Sequence, residues 1–481
     1  MADQPPQMKM TTKVPPGIAA PDEVETRLGT LRYTDGVPDA ATTQKVFEQL
    51  DFQRGVEAML MTLNGASMWA FRHALRTFGP DNQTAIIWEQ RMDSKVLLLT
   101  PNTTVVYCFA WLDTSEGPVV LEYPPSTLGI IDSFWFNYVG DLGPAGPDKG
   151  EGGKYLLLPP GHDGDVPDGY HIMRSETYGN WLVARGFLVD GDAGPAVSNI
   201  KENLRIYPLA DREKRPAMNM VDVSGEDFNT IHTTDFSFYE EINDIVQEEP
   251  ASAQVPEILG MLASIGIEKG KPFDPDARMK QTLIEAAAVG TAAARSILYR
   301  SRDDFAAYPD SGWEEGFPAG SYQFLQDGVR MNDQRVRFFF FATGVTPAMI
   351  QKMIGVGSQY MMGVRDAAGH HFDGSKTYRL NIPTDVPAKQ FWDVTIYDLQ
   401  TRSLLQTDQE YPGIASTNED LQRNADGSWD LYFGPEMPAG QEGNWLQTIP
   451  GKGWHSLFRL YAPLEPWFDK TWRPGEVEPI G

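Results

Sequence analysis

A handful of polar side chains in this chain sit inside or at the mouth of stretches that are otherwise apolar and strand-like. In the first half they are Asn102, Thr104, Asp132 and Asn137; in the second they include Arg337, His370, His371 and Asp393. Burying a polar group without a partner is unfavourable, so each needs a local reason. Asp132, in "LGIIDSFWFN", has the chemistry of a general acid or base, and the hydroxyls of Tyr107 and Tyr360 are further proton-transfer groups. Trp135 and Trp392 offer apolar or sugar-stacking walls, and Asn102, Thr104 and Asn137 offer hydrogen bonds to a substrate. Arg337, in "RVRFFFFA", is a cation for an anionic substrate, and His370 is a further binding candidate. The competing explanations are structural: Asp132 caps a turn, Trp135 is core, Asn102 bonds its own turn after Pro101, and Arg337 is an outward charge near a sheet edge.

Metal chemistry has one weak anchor. "HDGDVPDG" places Asp163, Asp165 and Asp168 beside glycines, a spacing at which hard oxygen ligands can hold calcium. The loop lacks the twelve-residue pattern and terminal Glu of an EF-hand, and an ordinary acidic turn explains the same residues. No cofactor is evident, and a divalent cation is an option. His370 and His371 are adjacent, so in a strand they point to opposite faces and cannot share an ion without a turn or bulge. The chain has no G-x-S-x-G, no G-x-x-x-x-G-K-[ST], no H-E-x-x-H and no paired C-x-x-C.

What must position these residues is a large globular protein. At 481 residues the chain exceeds one core, and 12 Trp, 24 Phe and 18 Tyr supply ample apolar material. A net charge of -26 repels phosphate backbones and anionic membranes, which argues against nucleic-acid and membrane partners and leaves a small-molecule ligand, with a homo-oligomer as a further option. The single cysteine, Cys108, excludes an internal disulfide and reads as a buried small hydrophobe. "MADQPPQMKM" has no apolar leader, so the chain as written reads as cytoplasmic, or as periplasmic or secreted if a signal was removed.

Five segments follow from the pattern. Residues 1–40 read as an extended arm and 41–80 as one or two helices with Thr42 or Thr43 as N-cap. Residues 81–211 read as a first β-sandwich, 212–330 as a helical connection whose Ala-rich part packs closely, and 331–481 as a second sandwich. Six matches recur in the same order in both β regions. They are Tyr107 to Asp113 with Tyr360 to Asp366; "LEYP" with "LNIP"; Trp135 to Asp141 with Trp392 to Asp398; "GKYLLLPP" with "GSWDLYFGP"; "GNWL" twice; and "LRIYPL" with "FRLYAPL". They predict an α+β multidomain fold of two internally duplicated, jelly-roll-like antiparallel β-sandwiches with an N-terminal helical segment and a helical insertion between them.

The stretches "RFFFFATGVTPAM", "FWDVTIYDLQTR", "DGSWDLYFGP" and "LLLTPNTTVVYCFAWLDTSEGPVVLEYP" together resemble a bacterial two-domain family, domain of unknown function 1254 followed by 1214. The resemblance implies two jelly-roll-like sandwiches plus helices, and brings no established reaction or catalytic set. Thr104 and Asp393 depart from the family's usual Asp and Ser at candidate site positions. The expected function is an enzyme, a hydrolase or lyase, acting on a small polar or carbohydrate-like molecule between the sandwiches. The alternative is a non-catalytic ligand-binding or scaffold protein.

Overall fold

A computed structural model of the chain describes residues 7–15, 17–300, 302 and 305–480. Within the stretch expected as an extended arm, β1 (Glu23–Thr26), β2 (Gly29–Thr34) and β3 (Val37–Pro38) pair into a three-stranded antiparallel sheet. Asp35 and Gly36, at φ 49° and 79°, make the two-residue turn that folds β3 onto β2. Helix α1 (Ala40–Arg76) follows as one continuous element. Its N-cap is Asp39, whose carboxylate accepts the Thr42 N–H at 2.7 Å; Thr42 and Thr43, expected as caps, lie inside the first turn.

The first β half runs through β4 (Thr84–Ile87), β5 (Val105–Asp113), β6 (Val119–Tyr123), β7 (Thr127–Ser133) and β8 (Tyr138–Leu142). It continues with β9 (Gly153–Leu158), β10 (His171–Arg174), β11 (Gly179–Phe187), α2 (Gly194–Asn203), β12 (Arg205–Pro208) and β13 (Asn219–Asp222). Helices α3 (Ser237–Glu248), α4 (Pro256–Ser264) and α5 (Ala277–Tyr299) come next. The second half holds β14 (Trp313–Glu315), the hairpin β15 (Leu325–Gln326) and β16 (Val329–Arg330), α6 (Asn332–Phe341) and α7 (Pro347–Ile350). It ends with β17 (Ser358–Gly363), β18 (Thr377–Ile382), β19 (Trp392–Asp398), β20 (Gly413–Ala415), β21 (Trp429–Gly434), β22 (Trp445–Gln447), β23 (Trp454–Tyr461), α8 (Glu465–Phe468) and β24 (Val477–Ile480).

The fold is α+β, and its sheets are open; the large sheet of the second half is purely antiparallel, while the large sheet of the first half and both small sheets are mixed, with one parallel pair each. The first half has sheets in the order β13-β4-β5-β11-β7-β8 and β10-β9-β6-β12; the second has β14-β17-β23-β19-β20 and β22-β21-β18-β24. Beyond the extra β13, the orders correspond place by place, down to one parallel pair in each small sheet, β9 with β10 and β21 with β22. Three sequence matches fall on strands in corresponding places: Tyr107 on β5 with Tyr360 on β17, "LEYP" on β6 with "LNIP" on β18, and "GKYLLL" on β9 with "SWDLYFG" on β21. The other three do not. Trp135 follows β7 while Trp392 opens β19; "GNWL" opens β11 but in the second half runs from a 3-10 turn into the edge strand β22; "LRIYP" lies on β12 but "FRLY" on β23.

Strand alternation explains how each large sheet serves two cores. In β5 and β11, Cys108, Leu182 and Ala184 face the small sheet and pack on Leu121 and Leu157. The opposite face, with Phe109, Trp111 and Trp181, joins a central core shared with α1, α3, α5 and α6. In the second half Val394, Ile396 and Phe458 fill the sandwich while Tyr397 and Leu457 face that same central core. The run around Phe338, read as a strand, is helix α6. Four consecutive Phe carry no alternation, and an element buried on all sides suits either period.

Small residues set the helix spacing here. A Cβ on Gly55 of α1 would stand 2.7 Å from the Cβ of Ala286 in α5, which is the close packing that the Ala-rich segment signalled. A Cβ on Gly65 would lie 2.6 Å from the Trp135 ring, so α1 and this indole meet without room for a methyl group. G65A is therefore expected to lower stability by about 1–3 kcal/mol, because a rigid ring cannot yield as a flexible chain end would. Denaturant unfolding monitored at the tryptophans checks this.

Candidate functional site

The two large sheets turn their inner faces toward each other, and a pocket lies between them. From the first half, Tyr107 on β5 stands directly across from Arg185 on β11; from the second, Tyr360 on β17 stands across from Arg459 on β23. Directly opposed residues share a face, and all four line the pocket, together with Thr100, Asn102, Ile130, Thr343 and Gly344. The open space is about 40 Å3. At roughly 10–15 Å3 for each water held, it has the size for a ligand of a few heavy atoms.

The loop before β5 is clamped by the second half. Arg459 donates to the Thr100 carbonyl at 2.9 Å and the Pro101 carbonyl at 3.2 Å. Tyr397 accepts from Arg459 and donates to the Pro101 carbonyl at 2.5 Å. Asn102 donates through Nδ2 to the Tyr461 hydroxyl at 2.9 Å and accepts the Thr104 N–H at 3.0 Å. Thr100 sits at φ 50°, an unfavourable conformation for a β-branched residue, and these bonds hold it there.

The two arginines differ in their charge partners. Arg459, 2% exposed, pairs with Asp393 at 3.1 Å, and Asp393 also accepts from Thr395 at 3.0 Å. Burial pulls the Arg459 guanidinium down, but Tyr397 and Asp393 outweigh it and hold the group well above its usual range. The residue opposite Arg459 on β19 is Asp393; the residue opposite Arg185 on β7 is Leu128. Among the described residues no carboxylate lies within ion-pair distance of Arg185, and its Nε–H is sealed from solvent without an acceptor. Asp141 feels the Arg185 charge but spends its oxygens on Thr346 at 2.7 Å and Tyr138 at 2.9 Å. Burial raises the Tyr107 hydroxyl above its ordinary range, opposed by Arg185, so it stays a proton donor at neutral pH.

Of the residues singled out from sequence, Tyr107, Tyr360 and Asn102 meet at this pocket. Asp132 lies just behind its wall: fully buried, it accepts the N–H of Val345, next to the lining Gly344, at 2.9 Å. Its other carboxyl oxygen has no partner, and burial, with some help from Asp141, raises the group well above the usual carboxylate range. Thr104 is not in the lining; its amide holds Asn102 and its hydroxyl is buried without a partner. Trp135 packs on α1, and Trp392 is sandwich core against Trp429, ring centroids 5.3 Å apart. Asn137 is exposed and lines a separate cleft.

Arg337 is a correction: it sits on helix α6, not in a strand, and is buried against Glu314 at 2.8 Å and the Leu298 carbonyl at 3.1 Å. Its charge is paired inside the fold, and it is not in the lining of the pocket. His370 is an exposed turn residue whose amide bonds Asp366 at 2.9 Å, so it too lies away from the pocket. Asp163, Asp165 and Asp168 are exposed on a loop. Among the described residues no three His, Cys, Asp or Glu side chains converge as metal donors. Sequence reasoning missed Arg185 and Arg459. The available signal was a lone Arg in each of two apolar strands, "WLVARGF" and "HSLFRLY".

Two family models match the chain. A protein of unknown function, DUF1254, matches residues 82–208, and a protein of unknown function, DUF1214, matches residues 357–465. The chain carries a DUF1254 match in its N-terminal half and a DUF1214 match in its C-terminal half. The DUF1254 domain carries Tyr107 and Arg185, and the DUF1214 domain carries Tyr360 and Arg459, so the pocket needs both. A crystal structure of the VPA0106 protein from Vibrio parahaemolyticus is similar in fold, with a TM-score of 0.56 over 90% of this chain and 100% of that one at 16% identity. A crystal structure of an uncharacterized protein from Burkholderia cenocepacia covers 92% of this chain and 96% of that one, with 14% identity and a TM-score of 0.39. No curated protein matches the chain. Among the described residues no helix is long and apolar enough to cross a membrane.

Proposed function

We propose that this protein is an enzyme, a hydrolase or lyase, that takes a small polar substrate bearing an anionic group into the pocket between its two domains. One observation carries the reading. Each domain contributes a Tyr–Arg pair from corresponding strands to one pocket, and among the described residues no carboxylate pairs with Arg185 there. The substrate's anion supplies from the pocket the counter-charge that Asp393 supplies to Arg459, since the residue across from Arg185 on β7 is the apolar Leu128. The Tyr107 and Tyr360 hydroxyls are the proton-transfer groups, and Asp132 is a positioning residue that holds Val345 and so the adjoining wall. The volume favours a few heavy atoms over a sugar ring. The same reading treats the two domains as duplicated jelly-roll-like units, supported by the matching strand orders and the shared parallel pair.

The test is incubation with a panel of small carboxylic acids, hydroxy acids and their esters, with and without chelator, followed by proton NMR. At least one compound is expected to be consumed. Y107F and Y360F are each expected to lower turnover by about 100-fold, in the range of a lost acid–base group, with affinity retained. A panel member that binds and is never turned over would move the assignment to a non-catalytic binding protein.

A further inference from the structure

A second cleft, sharing no lining residue with the pocket between the domains, opens beside α6 with a volume of about 770 Å3. That lies within the range of small-molecule sites, ~300–1,000 Å3. Its floor is built from buried Asn64 of α1, Phe136 after β7, and Arg335 and Phe339 of α6. The Phe136 and Phe339 rings are 5.3 Å apart, and the Arg335 guanidinium lies over Phe339 at 5.2 Å. Both rings belong to the central core, and the accessible aromatic lining is Tyr138 and Tyr322, ring centroids 5.4 Å apart, with the Arg335 cation in the same lining.

Arg335 is only 7% exposed, yet among the described residues it has no carboxylate partner. One of its N–H groups is spent on the Met61 carbonyl at 2.9 Å, and the rest open to the cleft. A buried guanidinium without a counter-charge is unfavourable. Burial pushes its pKa down to about 9, and the nearby charge of Arg330, also in the lining, adds to that. Arg174 is a third cation on the rim. Glu176 and Glu257 stand on the exposed rim as well, and neither reaches ion-pair distance of Arg335.

We infer that this cleft binds an organic oxyanion, a carboxylate or phosphate on an apolar or aromatic body, with the anion on Arg335 and Arg330 and the body against Tyr138 and Tyr322. Charge and shape both support that pairing: a free inorganic anion would leave the Tyr138 and Tyr322 rings uncovered, and a neutral aromatic would leave the guanidinium without its counter-charge. The inference does not depend on the assignment made for the pocket between the domains.

Calorimetric titration of the full chain with 4-phenylbutyrate, phenyl phosphate, 4-phenylbutanol and inorganic phosphate tests it. The two aromatic anions are expected to bind at least about tenfold tighter than the alcohol and than inorganic phosphate, the share of a charged hydrogen bond. Whichever of them binds better separates carboxylate from phosphate. R335M is expected to lose at least that factor. Because Arg335 also bonds Met61, the exposed R330Q provides a second variant that leaves the floor intact, with a loss of about threefold expected from one more distant charge. Equal binding of acid and alcohol, or unchanged affinity in both variants, overturns the inference. Difference density of soaked 4-phenylbutyrate locates the site, and a probe found only between the domains counts against this cleft and not against the pocket.

Discussion

R185M is expected to weaken binding of small carboxylates to the pocket between the domains by about 10- to 100-fold, the equivalent of losing hydrogen bonds to a charged group. The reason lies in the pairing across β7, β11, β19 and β23. Arg459 meets Asp393 on the neighbouring strand and its charge is balanced; Arg185 meets Leu128 and its charge is not. A reciprocal variant makes the test sharper. L128D places a carboxylate where Asp393 stands in the other domain, and it should abolish anion binding by supplying the counter-charge from within, without removing the guanidinium. Titration calorimetry with malonate reads both. A simple loss of packing at Arg185 would leave L128D binding as the parent does.

The second large effect is on stability. D393A leaves Arg459 buried among Tyr397, Thr100 and Pro101 with no carboxylate, and should destabilise the protein by about 3–5 kcal/mol, the loss seen when one partner of a buried ion pair is removed. Because Arg459 also clamps the Thr100–Asn102 loop of the other domain, the loss should appear in the docking of the two domains as well as in the DUF1214 domain itself. D393N keeps an acceptor for the guanidinium and should lose less. Denaturant unfolding of the full chain, followed by tryptophan fluorescence, separates the three proteins.

Much of the architecture was legible in the chain because strand alternation and turn residues are local signals. The strands carrying "TVVYCFAWLD" and "FWDVTIYDL" are where the pattern put them. The Phe run of α6 was not, because a uniformly apolar segment has no period to read. The N-terminal sheet was passed over although Asp35-Gly36 is a strong hairpin signal. At the site, Tyr107 and Tyr360 were reachable through their matching spacing to Asp113 and Asp366. Arg185 and Arg459 were not, since their importance lies in which residue faces each across a strand pair, Leu128 or Asp393, and no local pattern encodes a partner tens of residues away. Arg337 shows the opposite error: a charge in an apolar run looked available, while Glu314, brought in by β14, already neutralises it.

A crystal structure of the protein soaked in malonate measures the central claim most directly. The account predicts malonate between the domains, one carboxylate within hydrogen-bond reach of Arg185 and the hydroxyls of Tyr107 and Tyr360 close to the remainder. Ordered water alone in that pocket at saturating malonate, with Arg185 turned onto a protein acceptor, would contradict it.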